Sequence, residues 1–283
     1  MKTQNEKYRR LCSLIGEKGA VAVAFSGGVD SSLLCAAAFD ALGSKALAVT
    51  IVSPMLPASE AADAERIAGL IGIEHVLLRS SDIEADVAPN PVDRCYYCKK
   101  HEFGAIIDYA KTRAINTVLD GSNADDEGDY RPGLRAIAEL GVISPLREVG
   151  LTKAEIRALS KERSLPVWDK PAFACLASRI PYGETIDTAK LAEIEKAEAI
   201  LTATGFRQVR VRRHSVRGGA LARIEAAPEE RSKLFDTALL DVLSKKIKEV
   251  GFLYVAFELS GYETGSMNAA LKGIKPEGTR GKL

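Results

Sequence analysis

No stretch of the 283-residue chain approaches the roughly 20 consecutive apolar residues that a helical membrane span requires. The opening segment, MKTQNEKYRRLCSLIGEKGA, is charged and lacks the apolar centre of a signal peptide. Charge of one sign is also missing: 39 Lys and Arg stand against 38 Asp and Glu, a net charge of +1, which argues against a nucleic-acid partner held by overall field. Cysteine is scarce, with five residues at 12, 35, 95, 98 and 175. An odd number without an export signal speaks against a disulfide framework and for a reducing, cytoplasmic setting without a membrane partner. The chain has one C-x-x-C, in DRCYYCKK (93–100), and no second. That leaves half of a metal site or a lone dithiol. With 46% hydrophobic and 27% charged residues, the remainder reads as an ordinary soluble globular protein.

Short apolar runs at 20–25, 46–53, 75–80 and 117–122 alternate with helical patterns at 31–42, 58–72 and about 95–113. Strands alternating with helices predict an α/β fold with a parallel sheet covered on both faces, whose ligands sit beyond the C-terminal strand ends. TKAEIRALSKERSL (152–165) opens with a Thr followed three residues later by Glu, a capping-box start. Residues 166–186 carry three prolines and no period, a loop of functional length. Beyond it the order changes to a helix (187–205), the strands RQVRVRRHS and ALARIEA, a helix at about 228–249 and the strand FLYVAFELS. This is a smaller C-terminal α+β unit. The expected domains are 1–183 and 184–283, with KGIKPEGTRGKL as a mobile tail.

FSGGVDSS (25–32) joins the first strand to the first helix. Adjacent glycines bring backbone N–H groups close to an anion, the helix N-terminus adds partial positive charge, and serines add hydroxyls. No Lys follows, so this is not the Walker loop, nor is it G-x-G-x-x-G. The motif S-G-G-x-D-S-S resembles the PP-loop of ATP pyrophosphatases, which cleave ATP between the α and β phosphates. That resemblance implies ATP binding by Ser26, Gly27, Gly28, Ser31 and Ser32, with Asp30 on Mg²⁺. In LDGSNADDEGDYRPG (119–133), it implies that Gly121, Asn123 and Asp125 face the nucleotide and its magnesium; alternatively the stretch is a solvated acidic loop.

Cys175 is flanked by Lys170 and Arg179, cations of the kind that favour a thiolate, although a buried core cysteine would look the same locally. Together, the phosphate loop, DKPAFACLASRIPYGETI (169–186) and GYETGSMN (261–268) resemble the LarE family, the ATP-dependent sulfur transferases of nickel-pincer nucleotide cofactor synthesis. The resemblance runs from about residue 7 to 270. It implies that a carboxylate of a pyridinium mononucleotide is adenylated, that sulfur then displaces AMP, and that two rounds give a dithiocarboxylate. Members with a single cysteine at the position of Cys175 sacrifice its sulfur and keep dehydroalanine; this chain departs from them by adding Cys95 and Cys98. Three thiolates can hold three irons of a [4Fe–4S] cluster and leave the fourth for a free sulfide. A zinc site of the same cysteines with His101, or a Cys95–Cys98 dithiol acting on a Cys175 persulfide, are the alternatives.

RQVRVRRHSVRGGALAR (207–223) contains six arginines and no acidic residue. Alternation puts Arg210 and Arg212 on one strand face, either solvated or gripping the substrate's phosphate. The family resemblance favours Arg210 and Arg212 as substrate contacts with Arg179, and Glu198 with Glu229 or Glu230 as acidic partners at a contact within a homo-oligomer. His214 reads as a strand residue, and Tyr96, Tyr97 and Trp168 as packing, although an aromatic next to the cysteines could stack on a substrate ring. The rival readings are a tRNA thiolation enzyme, an amide-forming ligase, which gives three cysteines no role, and a non-enzymatic nucleotide-binding redox sensor.

Overall fold

The computed structural model describes residues 2–126, 132–171, 174–263 and 265–267. The chain forms two compact units, Met1–Glu84 with Asp93–Phe173, and Ala85–Val92 with Ala174–Leu283. The proposed tail at 272–283, and Glu127 and Asp129 of the acidic loop, lie outside the described residues.

In the first unit, β1 (Val21–Ala24), β2 (Ala46–Val52), β3 (Glu74–Arg79) and β4 (Thr117–Leu119) form a parallel sheet in the order β3-β2-β1-β4. The pleat divides the core in two. Val21, Val23, Ala46 and Ala48 face a cluster with Leu11, Leu33, Ile67 and Ile156. Those come from α1 (Lys2–Gly16), α2 (Val29–Leu42), α3 (Ala58–Ile71) and, later in the chain, Lys153–Glu162. Ala22, Leu47 and Val49 face the other way, onto Phe103 and Ile106 of α4 (Arg94–Thr112) and Ile137 of α5 (Pro132–Glu139). Each fully buried Leu or Ile contributes about 1.5–3 kcal/mol, so the strands are apolar on both faces because both faces are covered. The α/β expectation is met.

Several boundaries differ from the pattern. The run 117–122 is strand only to Leu119, because the Asp120 carboxylate turns the chain by accepting Ser122 N–H at 3.1 Å. Ile143 then bridges Leu119 in parallel and extends the sheet. The helix α1, with Tyr8, Leu11 and Ile15 buried on one stripe, has no acidic residue in its first turn to announce it. After the short α6 (Pro145–Glu148) comes α7 (Lys153–Glu162), with the expected capping box between Thr152 and Glu155. No helix among the described residues is long and apolar enough to cross a membrane.

In the second unit, α8 (Thr188–Ala203) precedes an antiparallel pair, β5 (Val209–Val216) and β6 (Gly219–Ala226), to which β7 (Tyr254–Phe257) adds in parallel. The single helix expected over 228–249 is two elements: a 3₁₀ stretch at Pro228–Phe235, then α9 (Thr237–Val250). Asp236 separates them by capping α9, accepting Ala238 N–H at 3.0 Å and Leu239 N–H at 3.2 Å. Segment 85–92 joins this unit through Asn90, whose amide donates to the carbonyls of Ile180 (3.2 Å) and Pro181 (2.7 Å).

These contacts set a two-step acid response. Burial lowers the pKa of His75, and burial with the Arg223 guanidinium lowers that of His214. His214 Nε2 accepts from Arg223 at 3.1 Å, a bond that needs the neutral ring. For a base with a depressed folded pKa, the unfolded chain takes the proton first, so stability is full above about pH 6.5 and falls below it. Glu230 behaves in the acid sense. Burial would raise its pKa, but Lys233 and the N–H groups of Gln208 and Arg207 outweigh it, and the net shift is downward. Its stabilisation holds above about pH 4.3 and is lost as pH falls through the lower folded value. Urea midpoints against pH are expected to decline gently from about pH 6.5 and steeply below about pH 4.3. Substituting His75 and His214 by Gln removes only the gentle limb; a flat profile down to that lower limit in the unaltered protein contradicts the assignment.

Candidate functional site

The PP-loop sits where β1 hands over to α2. Gly27 adopts φ +68°, and a Cβ there would stand 3.2 Å from the backbone of Ala64 in α3, so both strain and space require glycine. Gly28 is the N-cap of α2 without a side-chain cap, which leaves the first-turn N–H groups without helical acceptors. The serines brace this turn. Ser26 and Ser31 hydroxyls lie 3.1 Å apart, Ser31 donates to Gly28 O at 3.3 Å, and Ser32, fully buried, donates to Gly28 O at 2.7 Å.

The loop after β4 faces it. Asn123 donates to Asp30 Oδ1 at 3.2 Å and accepts Asp125 N–H at 2.9 Å. Gly121 is required by close approach, since a Cβ would meet Ser31 N at 3.2 Å. The solvated-loop reading therefore does not describe Asn123, which is buried. Asp120, Ser144 and Lys153 went unnoticed in the sequence. Asp120, buried at the end of β4, accepts the hydroxyls of Ser122 and Ser144 and so fixes the loop's start. Lys153, the first residue of α7, pairs its ammonium with Asp30 and donates its backbone N–H to Asp125 at 2.8 Å. The signal for Lys153 was a cation at a helix N-terminus, the unfavourable end of the macrodipole, directly after a capping Thr.

Within each unit, among the described residues, no group of three or more His, Cys, Asp or Glu is placed to hold a metal ion. Magnesium needs less: one or two carboxylates with substrate phosphates suffice. Asp30 fits that donor set, and its carboxylate already accommodates a cation, the Lys153 ammonium.

Cys95 lies on the first turn of α4 and Cys98 at the start of the second, three residues apart and hence neighbours on one face. Cys95 is exposed and Cys98 half-buried. The Cys98 thiol donates to Glu102 Oε1 at 3.4 Å, and Lys99 holds the other oxygen at 2.9 Å. Glu102 above all, with Cys98 and Asp120 adding, raises the Lys99 ammonium above its ordinary pKa against the effect of burial. This pair of thiols fits part of an iron–sulfur or zinc ligand set. His101 is exposed on the same helix. Tyr96 packs as expected: its hydroxyl donates to Glu139 at 2.6 Å and Arg135 lies 3.9 Å from its ring centroid.

Cys175 belongs to the second unit, as the N-cap of a 3₁₀ turn at Leu176–Arg179. Of its two expected flanking cations, Lys170 belongs to the first unit and is engaged by Glu60 (3.0 Å) and Asp63 (2.9 Å). Arg179 is 0% exposed. It grips Glu198 with both Nε and a terminal nitrogen, at 2.9 and 3.0 Å, and donates to the carbonyl oxygens of Ala174 and Cys175. Arg179 thus grips the Cys175 turn, with its guanidinium fully buried and paired to Glu198.

The arginine strand is also buried. Arg210 and Arg212 are 6% and 4% exposed, so the solvated-face alternative fails. Arg212 donates to Glu225 at 2.7 and 2.9 Å, to Ser178 O at 3.1 Å and to Ser266 Oγ at 3.1 Å. Arg210 donates to Val209 O and lies 5.3 Å from the Tyr262 ring centroid. Burial and the neighbouring Arg179 guanidinium lower the pKa of Arg210. An anion brought here would be stabilised by guanidinium groups already desolvated. Glu198 joins Arg179 and accepts Val211 N–H at 2.9 Å, while Glu230 holds the start of β5.

The family model for asparagine synthase matches residues 17–125, which span the PP-loop and the loop after β4. An uncharacterised protein of Synechocystis sp. is 41% identical over 266 residues, 94% of this chain and 98% of that one. The pyridinium-3,5-bisthiocarboxylic acid mononucleotide synthase of Lactiplantibacillus plantarum is 36% identical over 274 residues, 96% of this chain and 97% of its own. A tRNA-specific 2-thiouridylase of Frankia casuarinae is 30% identical over 189 residues, 53% of each chain.

Proposed function

The chain belongs to the LarE family, that of the Lactiplantibacillus plantarum synthase, and from this we propose that it is an ATP-dependent enzyme that converts a carboxylate of a pyridinium biscarboxylate mononucleotide into a thiocarboxylate. The product is a precursor of the nickel-pincer nucleotide cofactor. ATP is bound by the PP-loop, with the N–H groups at the start of α2 receiving the phosphates and Asp30 holding Mg²⁺. A substrate carboxylate oxygen attacks the α phosphorus, pyrophosphate leaves, and an acyl-adenylate results. Sulfur then attacks the acyl carbon, the C–O bond to AMP breaks, and the thiocarboxylate is formed.

The observation that carries this reading is the pairing of the Gly27–Gly28 turn with Asp30 and Asn123, an anion receptor beside a cation-binding carboxylate. The buried Arg210 and Arg212 would take the substrate's phosphate, with Glu198 as their acidic neighbour and a second copy of the chain as partner. Cys95, Cys98 and Cys175 would hold a [4Fe–4S] cluster, which when bound supplies a transferable sulfide from its fourth iron. The alternative source is Cys175 itself, which would end as dehydroalanine. The partial similarity to the 2-thiouridylase keeps tRNA as a competing substrate, though a net charge of +1 disfavours it.

With ATP, Mg²⁺ and the pyridinium biscarboxylate mononucleotide, the enzyme is expected to release pyrophosphate and AMP, and to release none when tRNA replaces the mononucleotide. Absence of pyrophosphate with the mononucleotide rejects the reading. After anaerobic purification, Cys95→Ala is expected to lose most of the iron and acid-labile sulfide of the unaltered protein. Equal iron in both removes the cluster and leaves the sacrificial route.

A further inference from the structure

The chain leaves the first unit at Ala85, returns to it at Asp93, and leaves it again at Ala174. The cysteines stand at these crossings, Cys95 and Cys98 just after the return and Cys175 just after the last departure. One residue of the excursion joins the two places. Asn90 is 0% exposed, and its amide donates to two successive carbonyls, Ile180 O at 3.2 Å and Pro181 O at 2.7 Å. Its own carbonyl accepts Gly183 N–H at 2.9 Å, and Ala88 O accepts Ile186 N–H at 2.8 Å. The backbone of Asn90 holds φ +56°, which asparagine tolerates better than most side chains, and Pro89 and Pro91 stiffen the chain on either side. Apolar burial alone would hold such a segment, and Val87, 0% exposed, supplies it. The amide adds what burial lacks: two donors aimed at two particular carbonyls fix the pairing to a single register.

We infer that Asn90 is a positioning residue for sulfur transfer, a clip that sets where Cys95 and Cys98 lie with respect to Cys175. Asn90 has this duty only where the three cysteines act together, as proposed above. Along the chain Cys95 and Cys175 are 80 residues apart (175 − 95). Through the clip the path is five residues from Asn90 to Cys95 (95 − 90) and five from Cys175 to Ile180 (180 − 175). The first leg spans at most about 18 Å, at roughly 3.6 Å per residue. The second is wound into the 3₁₀ turn, so it covers about 10 Å at roughly 2 Å per residue. Ser178 and Arg179 lock that turn through the Cys175 carbonyl. A short, stiff connection raises the effective concentration of one thiol at another. The clip thus serves chemistry that needs all three thiols, a shared cluster or a dithiol acting on Cys175, and is idle where Cys175 works alone.

Dibromobimane, which joins two neighbouring thiols, reads this placement in the metal-free protein, with the linked peptides identified by mass spectrometry. The Cys95–Cys98 link, confined to one helix, is the internal reference. In the unaltered protein a link from Cys95 or Cys98 to Cys175 is expected. Asn90→Gly lets the backbone keep its positive φ and removes only the amide; the ratio of the Cys175 link to the reference is expected to fall at least about tenfold. Val87→Ala loosens the same segment without touching the amide. It is expected to lower the thermal midpoint and leave the ratio within about twofold of the unaltered value. An unchanged ratio in Asn90→Gly overturns the clip and leaves the three-cysteine site standing. An equal fall in Val87→Ala overturns the assignment to the amide. Absence of any Cys175 link in the unaltered protein removes the three-cysteine site itself, and the clip with it.

Discussion

Cys175→Ala is expected to abolish thiocarboxylate formation while leaving pyrophosphate release within about twofold, so that activation and sulfur transfer come apart. The loss of product should be at least about a thousandfold, the scale seen when a group that touches the reacting atoms is removed. The separation follows from how the residue is held. The Cys175 carbonyl accepts from Ser178 N–H at 3.0 Å, from Ser178 Oγ at 2.8 Å and from Arg179 at 3.0 Å. None of these bonds uses the thiol, so alanine leaves the turn intact. The PP-loop, Asp30 and Asn123 all belong to the first unit and Cys175 to the second. Product by mass spectrometry and pyrophosphate by a coupled assay read the two steps separately. Thiocarboxylate formed by Cys175→Ala at the rate of the unaltered enzyme would exclude Cys175 from both sulfur routes.

The companion variant tells the two routes apart. If a cluster carries the sulfur, Cys95→Ala loses product along with Cys175→Ala, and the unaltered enzyme keeps an intact cysteine at 175 after turnover. If Cys175 gives up its own sulfur, Cys95→Ala still completes a turnover, and the protein loses one sulfur with its hydrogens.

What could be read from the sequence was local. The glycine pair and serines of FSGGVDSS sit within eight residues, and each has a steric or hydrogen-bonding duty that the residue type announces. The capping box at Thr152 was legible for the same reason. Lys153 was not, because its partner Asp30 lies 123 residues away and only the folded sheet brings them together. Asp120 and Ser144 escaped likewise, since an LDGS turn looks like any strand end until Ser144 arrives to share the carboxylate. The arginine strand was half legible. Alternation separated Arg210 and Arg212 from Val209 and Val211, but period alone does not say whether the polar face meets water. Here it meets protein: Glu225, Ser178 and Ser266 surround Arg212. The missed break at Asp236 shows the same ambiguity, since an Asp inside an amphipathic run can be a surface residue or the cap of a second helix.

Arg179→Met is expected to destabilise the protein by about 3–5 kcal/mol, the cost of leaving a buried charge without its partner. The pair is nearly dry: Arg179 is 0% exposed and the Glu198 side chain 12%. Glu198 would keep Val211 N–H and lose both Arg179 bonds, while the carbonyls of Ala174 and Cys175 would each lose a guanidinium donor. Methionine fills much of the arginine's volume, so a cavity does not explain the loss. The control is Arg179→Met with Glu198→Gln, which removes the stranded charge and is expected to recover a large part of the stability, since contacting partners are not additive. Equilibrium urea denaturation of the two variants gives the coupling. A cost under about 1 kcal/mol for Arg179→Met would mean the pair behaves like a surface ion pair. It would also favour the substrate contact for Arg179, because a guanidinium that the protein does not need for its own carboxylate can bind another.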